Sequence, residues 1–211
     1  MKHDLFSPDP TPTAEIERIE AAYAPLTDAV RKLIDATIRS TITDEATLAD
    51  AAAQITAITE KLASEQLPGA AGVHFNDEGR VWNWGNTVVG QRNAVAPPLR
   101  SEHRADGVHA QVSLGAAYEG PPGLVHGGVT ALLLDQVMGQ AAADRRRVLM
   151  TGTLKLRYRR GTPLGDLRLR AWIESESGRK VRVRAGIYDA DGLTVEAEGL
   201  FIEPRMPDAG A

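Results

Sequence analysis

The stretch GLVHGGVTALLLDQVMGQAAA, residues 123 to 143, holds the residues best suited to chemistry. His126 is followed by Gly127 and Gly128, and nine residues after the histidine stands the only acidic residue of the stretch, Asp135. Glycines at a helix start let a ligand approach the backbone closely, and the first-turn N–H groups are free donors at the positive end of the helix dipole. Such an end suits an anion or a developing oxyanion. His126 taken alone reads as an N-cap or a packed ring. Val129, Leu132, Leu133, Leu134, Val137 and Met138 spread over nearly every side of this helix, which predicts a helix buried all round. An isolated carboxylate there costs several kcal/mol unless it is paired or solvated in a pocket. A wet helix side or a capping contact is the plain alternative for Asp135, and a retained acid available for proton transfer is the functional one.

Spacing limits how these groups meet. At about 100° and 1.5 Å per residue, Asp135 lies roughly 13 Å along the helix from His126 and half a turn round it. One chain does not easily bring both to a single substrate atom. Two chains do so when their helices run antiparallel across a two-fold axis, which predicts a shared site, two per dimer.

The elements that must position these groups change character near residue 70. From Thr13 to Gln66 the pattern is helical: Ile16, Ile19, Tyr23, Leu26, Val30, Leu33 and Thr37 recur at steps of three and four, as do Leu48, Ala51, Ile55, Ile58 and Leu62. Thr43 is the expected N-cap of the second helix, and Pro25 is expected to kink the first or to mark a fresh start. From residue 107 onward alternation of period two predicts five strands. Their apolar members are Val108 to Ala116, then Leu154, Leu156 and Tyr158, then Leu167 to Ile173, Val181 to Ile187 and Leu193 to Phe201. Polar residues on the other face predict an antiparallel sheet with one buried and one wet side. The quoted helix falls between the first and second strands. The expectation is an α+β protein, a sheet curled around one helix, with a helical extension over residues 1–70 and a second domain over 71–211.

Composition narrows the classes. The chain has 211 residues, 43% of them hydrophobic and 25% charged, a net charge of -4 and no cysteine. Disulfides, thiolate metal sites and a cysteine nucleophile are excluded, and a reducing, cytoplasmic setting is expected. The net charge argues against a general attraction to nucleic acid, and no run of about 18 apolar residues suggests a membrane span. His3, His74, His103 and His109 lack metal-ligand spacing.

GPPGLVHGGVTALLLDQVMG together with LMTGTLKLRYRRGTPLG resembles the hotdog-fold acyl-CoA thioesterases of the phenylacetate-degradation type, over roughly residues 72 to 205. The likeness is greatest to the subgroup with a threonine sixteen residues after the acid, here Thr151. It implies a curved antiparallel sheet around one helix, assembled as a homodimer or a dimer of dimers. It also implies hydrolysis of an acyl-CoA with water alone, without metal or organic cofactor. In that family pattern the Gly127 N–H polarises the thioester carbonyl and His126 helps to shape the hole. Asp135 of the partner chain acts as general base or as nucleophile, and Thr151 orients the water or the carboxylate. Gly128, Arg159, Arg160, Arg179 and Lys180 fall where such enzymes hold coenzyme A. Three basic clusters are available for its phosphates: Arg145 to Arg147, Arg157 with Arg159 and Arg160, and Arg179 with Lys180, each of which by itself reads as a solvated sheet face or helix end. One departure stands out. Many relatives carry an asparagine about six residues before the motif histidine, where this chain has Gly120 beside Glu119. Trp82 and Trp84 are candidates to line the acyl end or to pack the upstream segment. A non-catalytic acyl-CoA-binding or scaffold protein is the alternative reading, and a hydratase is disfavoured because its His-plus-acid pair is not evident.

Overall fold

The computed structural model describes residues 7–143 and 149–204. The chain divides into two units, Met1–Val95 and Ala96–Ala211.

The first unit contains, in chain order, β1 (Ser7–Pro8), α1 (Thr13–Arg39), α2 (Glu45–Ala63), β2 (His74–Phe75) and β3 (Val81–Trp82). The three short strands form their own small sheet. Exposed pairs one turn apart, Glu15 with Arg18 and Asp35 with Arg39, support α1 modestly. Pro25 lies inside α1 and does not begin a new helix. It removes one intrahelical donor, while two residues on the buried Thr27 hydroxyl donates to the Gln91 carbonyl at 3.0 Å and anchors that turn. The N-cap of α2 is Asp44, not Thr43: the Asp44 carboxylate accepts from the Thr47 N–H at 2.9 Å, the reach that a capping side chain needs.

The division after Val95 falls later than the boundary expected at residue 70, because the segment following β2 is bound to α1. Arg80 donates to Glu20 at 2.8 Å, Trp84 Nε1 donates to the same carboxylate at 3.2 Å, and the Arg92 guanidinium lies between the Tyr23 and Trp84 rings. Trp82 is buried and stacks on His74. Both tryptophans therefore have packing roles inside this unit.

The second unit contains β4 (Arg100–Arg104), β5 (Gly107–Leu114), the helix α3 (Gly127–Ala142), β6 (Met150–Tyr158), β7 (Gly165–Ser177), β8 (Lys180–Asp189) and β9 (Gly192–Ile202). Six strands form one antiparallel sheet in the order β4-β5-β7-β8-β9-β6. The five expected strands are present. The sixth, β4, reads RSEHR, is exposed throughout and so carries no apolar alternation by which it could be recognised.

The inward residues Val108, Ala110, Val112, Leu114, Leu167, Leu169, Ala171, Val181, Val183, Ala185, Ile187, Val195, Ala197 and Phe201 are all buried. Against them α3 sets Leu133, Leu134, Val137 and Met138, each fully buried and each contributing roughly 2 kcal/mol of transfer free energy. Gly199 makes room for this contact, since a Cβ there would stand 2.5 Å from the Met138 methyl. The expectation that α3 is buried on every side is corrected. Its other side, with Leu132, Asp135, Gln136 and Gly139, is only half-buried, because the sheet curves over one flank of the helix.

Candidate active site

Helix α3 begins at His126, whose Nδ1 accepts the Gly128 N–H at 3.0 Å. That bond requires the neutral ring to carry its proton on Nε2. The His126 carbonyl accepts from both the Val129 and the Thr130 N–H groups, at 2.9 and 3.2 Å. The Thr130 bond is the first of the regular helical ladder; of the four amides that precede it, those of His126, Gly128 and Val129 are engaged, and among the described residues the Gly127 N–H has no partner. Tight backbone packing brings the chain into this turn. His126 N–H donates to the Tyr118 carbonyl at 2.9 Å, and Gly120 N–H to the Leu124 carbonyl at 2.9 Å. A Cβ at residue 120 would lie 2.7 Å from His126 Cα, so no asparagine fits here without moving the helix entry. Glu119 serves the same loop, accepting the Gly123 N–H at 2.7 Å.

Asp135 stands on the half-buried side of α3, and Thr151 Oγ1 donates to its Oδ1 at 2.9 Å. Simple alternation counts Leu154, Leu156 and Tyr158 inward, which would turn Thr151 outward. The pairing of β6 with β9 skips one residue, with Thr153 opposite Leu200 and Thr151 opposite Phe201, so Gly152 is a bulge. The extra residue restores Thr151 to the inward face and aims its hydroxyl at the helix.

The other end of β6 meets the helix tip. Tyr158 Oη donates to the Gly127 carbonyl at 3.0 Å. Alternation places Tyr158 only among the inward strand residues; a phenol closing an otherwise apolar set is the signal that sets it apart. Thr151 and Tyr158 are separated by six steps of the β9 register, Phe201 to Val195, or about 20 Å of strand. Gly127 and Asp135 are eight residues and about 12 Å apart along α3. Within one chain the two groups do not converge.

The basic residues divide between the same two ends. Arg159 and Arg160 follow Tyr158, whereas Lys180 shares a row with Ile202 and Met150, at the Thr151 end. Arg159 donates to Glu196 at 2.6 Å. Arg160 is held in a two-point pair by Asp189, with Nη1 2.6 Å from Oδ2, and by the Gly192 carbonyl. Asp189 and the Gly192 carbonyl engage three of the five N–H donors of the half-exposed Arg160, so a phosphate there meets a guanidinium already partly neutralised. Arg179 donates to the Glu203 carbonyl at 2.9 Å, and Lys180 is exposed. Gly128, also expected to contact coenzyme A, has its N–H on His126. Arg145 to Arg147 and His3 lie outside the described residues.

The Asp189 carboxyl is held at about 2, first by the hydrogen bond from Arg160 and then by the Asp191 and Gly192 backbone amides, against the opposing effect of desolvation. A depressed carboxylate stabilises the fold above its ordinary value of 3.8, and that contribution is lost as pH falls through about 2. The melting-temperature gap between the wild type and Arg160→Leu is therefore expected to stay constant from about pH 7 to 5 and to shrink between about pH 4 and 2. Thermal denaturation across that range checks it, and a gap unchanged at pH 2 contradicts the assignment.

A family model described as the thioesterase superfamily matches residues 122–196. The chain is 36% identical over 92 residues to acyl-coenzyme A thioesterase THEM4 of Xenopus laevis, a stretch amounting to 42% of this chain and 41% of that protein. It is 34% identical over 98 residues to the protein of the same name from Mus musculus, covering 44% of this chain and 42% of the relative. The chain thus spans about two fifths of the length of the curated relatives it matches. The crystal structure of a protein described as a thioesterase superfamily member is similar at a TM-score of 0.76 and 38% identity, covering 86% of this chain and 90% of that one.

Proposed function

The chain belongs to the thioesterase superfamily and has its hotdog fold, and from that premise we propose that it hydrolyses an acyl-CoA thioester to the free acid and coenzyme A. The observation that carries this reading is the pair of groups on α3. An amide without a partner among the described residues, Gly127 N–H, stands at the helix tip, and a carboxylate held by Thr151 stands about two turns further on.

The edge position of β6 supports a shared site. Antiparallel pairing of β6 with the same strand of a second copy reverses the partner's β6. The Thr151 end of one protomer then meets the Tyr158 end of the other, and Asp135 faces the partner's Gly127. The same operation brings Arg179 and Lys180 of one protomer toward Arg159 and Arg160 of its partner, a place for the coenzyme A phosphates. Leu154 and Leu156, inward yet only half-buried at this edge, gain cover by it.

In this reading the Gly127 N–H binds the thioester oxygen, and the negative end of the forming tetrahedral intermediate grows against the positive end of the helix dipole. Asp135 takes a proton from water as the water oxygen bonds to the carbonyl carbon, with Thr151 fixing the carboxylate. Collapse breaks the C–S bond, and the proton returns to the departing thiolate. Direct attack by Asp135 through a mixed anhydride uses the same groups. A reducing, cytoplasmic setting belongs to this reading too, from the absence of cysteine.

The test is release of free thiol from a panel running from acetyl-CoA to palmitoyl-CoA with benzoyl-CoA and phenylacetyl-CoA. A chain without cysteine adds no background to a thiol reagent. Turnover of at least one member is expected, and turnover of none, with coenzyme A esters still bound, replaces hydrolysis by a binding role.

A further inference from the structure

Resting on the reading of the α3 tip as the carbonyl-binding end, we propose that Tyr158 is a positioning residue that registers the Gly127 amide against the sheet. Gly127 has no side chain of its own to hold it, so its orientation depends on what grips the peptides on either side. The peptide before it is fixed through the His126 carbonyl, which accepts the Val129 and Thr130 amides. The peptide after it is fixed three times. The Gly128 N–H donates to His126 Nδ1 at 3.0 Å, and the Gly127 carbonyl accepts from Thr130 Oγ1 at 2.7 Å and from Tyr158 Oη at 3.0 Å.

Every one of these bonds except the last comes from the helix or its cap and travels with the helix. The Tyr158 bond comes from β6 and ties the tip to another element. Burial within the chain does not require it, because there Tyr158 is 54% exposed. The ring also packs on the glycine: a Cβ at Gly127 would lie 3.3 Å from the hydroxyl and 3.5 Å from the ring carbons.

The same face of β6 carries Thr151, which holds Asp135. One strand therefore grips α3 at two places, beside the amide and beside the acid. A strand is a stiffer ruler than a loop, and the rate of a reaction at preorganised donors depends on such placement. Pairing through this strand would hand both distances on to the shared site, since the Tyr158 grip of one protomer faces the Thr151 grip of its partner.

Tyr158→Phe keeps the ring and deletes the donor. With the best acyl-CoA of the panel, kcat is expected to fall about tenfold, the scale of one lost orienting hydrogen bond, with KM within about twofold. The melting temperature is expected to hold within about 2 °C. Tyr158→Leu, which also strips the ring from Gly127, is expected to lower kcat at least as far. Wild-type kcat in Tyr158→Phe overturns the proposal, and so does a fall in kcat that merely follows a loss of folded protein. Asp135→Ala in the same assay separates the two levels of inference. Full activity in Asp135→Ala refutes hydrolysis at this site altogether. An inactive Asp135→Ala beside a fully active Tyr158→Phe refutes only the role given to Tyr158.

Discussion

Replacing Gly127 by proline is expected to lower kcat by about 10²- to 10³-fold, the scale seen when one oxyanion donor is removed, while leaving the helix intact. Gly127 is the first residue of α3, the one helical position where proline is favoured, because its missing N–H has no intrahelical partner to lose. Proline also restricts the residue before it to extended conformations, and His126 already sits at φ -59 and ψ 134. The substitution thus deletes the proposed donor and little else. Its ring meets the Tyr158 hydroxyl, 3.3 Å from where a Cβ would stand, so that exposed side chain has to shift by a few tenths of an ångström. Steady-state kinetics beside a thermal melt decide the matter. Wild-type kcat in a folded Gly127→Pro protein removes the amide from the mechanism.

Asp135→Ala carries an effect of similar size, at least about 10² in kcat, since a placed general base contributes that much or more. Folding is expected to survive, because the side chain leaves a half-buried position whose partner among the described residues, Thr151, is exposed to water. The two variants together test the sharing of the site. If Asp135 serves the partner's Gly127, each pure variant is inactive. A dimer holding one Asp135→Ala and one Gly127→Pro chain, however, has one site with both defects and one with neither. Random association makes about half the dimers mixed, so co-expression of the two variants is expected to restore about a quarter of wild-type activity. No recovery in demonstrably mixed dimers places both groups of a working site in one chain and rejects the two-fold arrangement.

Gly152 in β6 and Gly120 before α3 show how unevenly the site is legible in the sequence. His126, Gly127 and Asp135 stand out by type, because a glycine pair opening a helix and a lone acid within an apolar run each break the local pattern. Thr151 was reached only through family likeness. Its contact with Asp135 depends on the bulge at Gly152, which reverses the face that alternation assigns. Gly120 could be noted as a departure from relatives but not explained, since its reason is the His126 backbone 2.7 Å away. Tyr158 stayed hidden among inward strand residues because its partner is a carbonyl, and every residue has one.

By itself the sequence determined the periodicities: the helical stretches, the five strands that alternate with period two, and that a single helix interrupts them. Those follow from local backbone geometry and the transfer of apolar side chains out of water, and both are written residue by residue. Only the tertiary structure decided that β4 joins the sheet, that β6 ends it, that α3 is covered on one flank alone, and that one edge strand grips both the amide tip and the acid. These depend on register and on which surfaces remain after packing, and register is a relation between residues far apart in the chain.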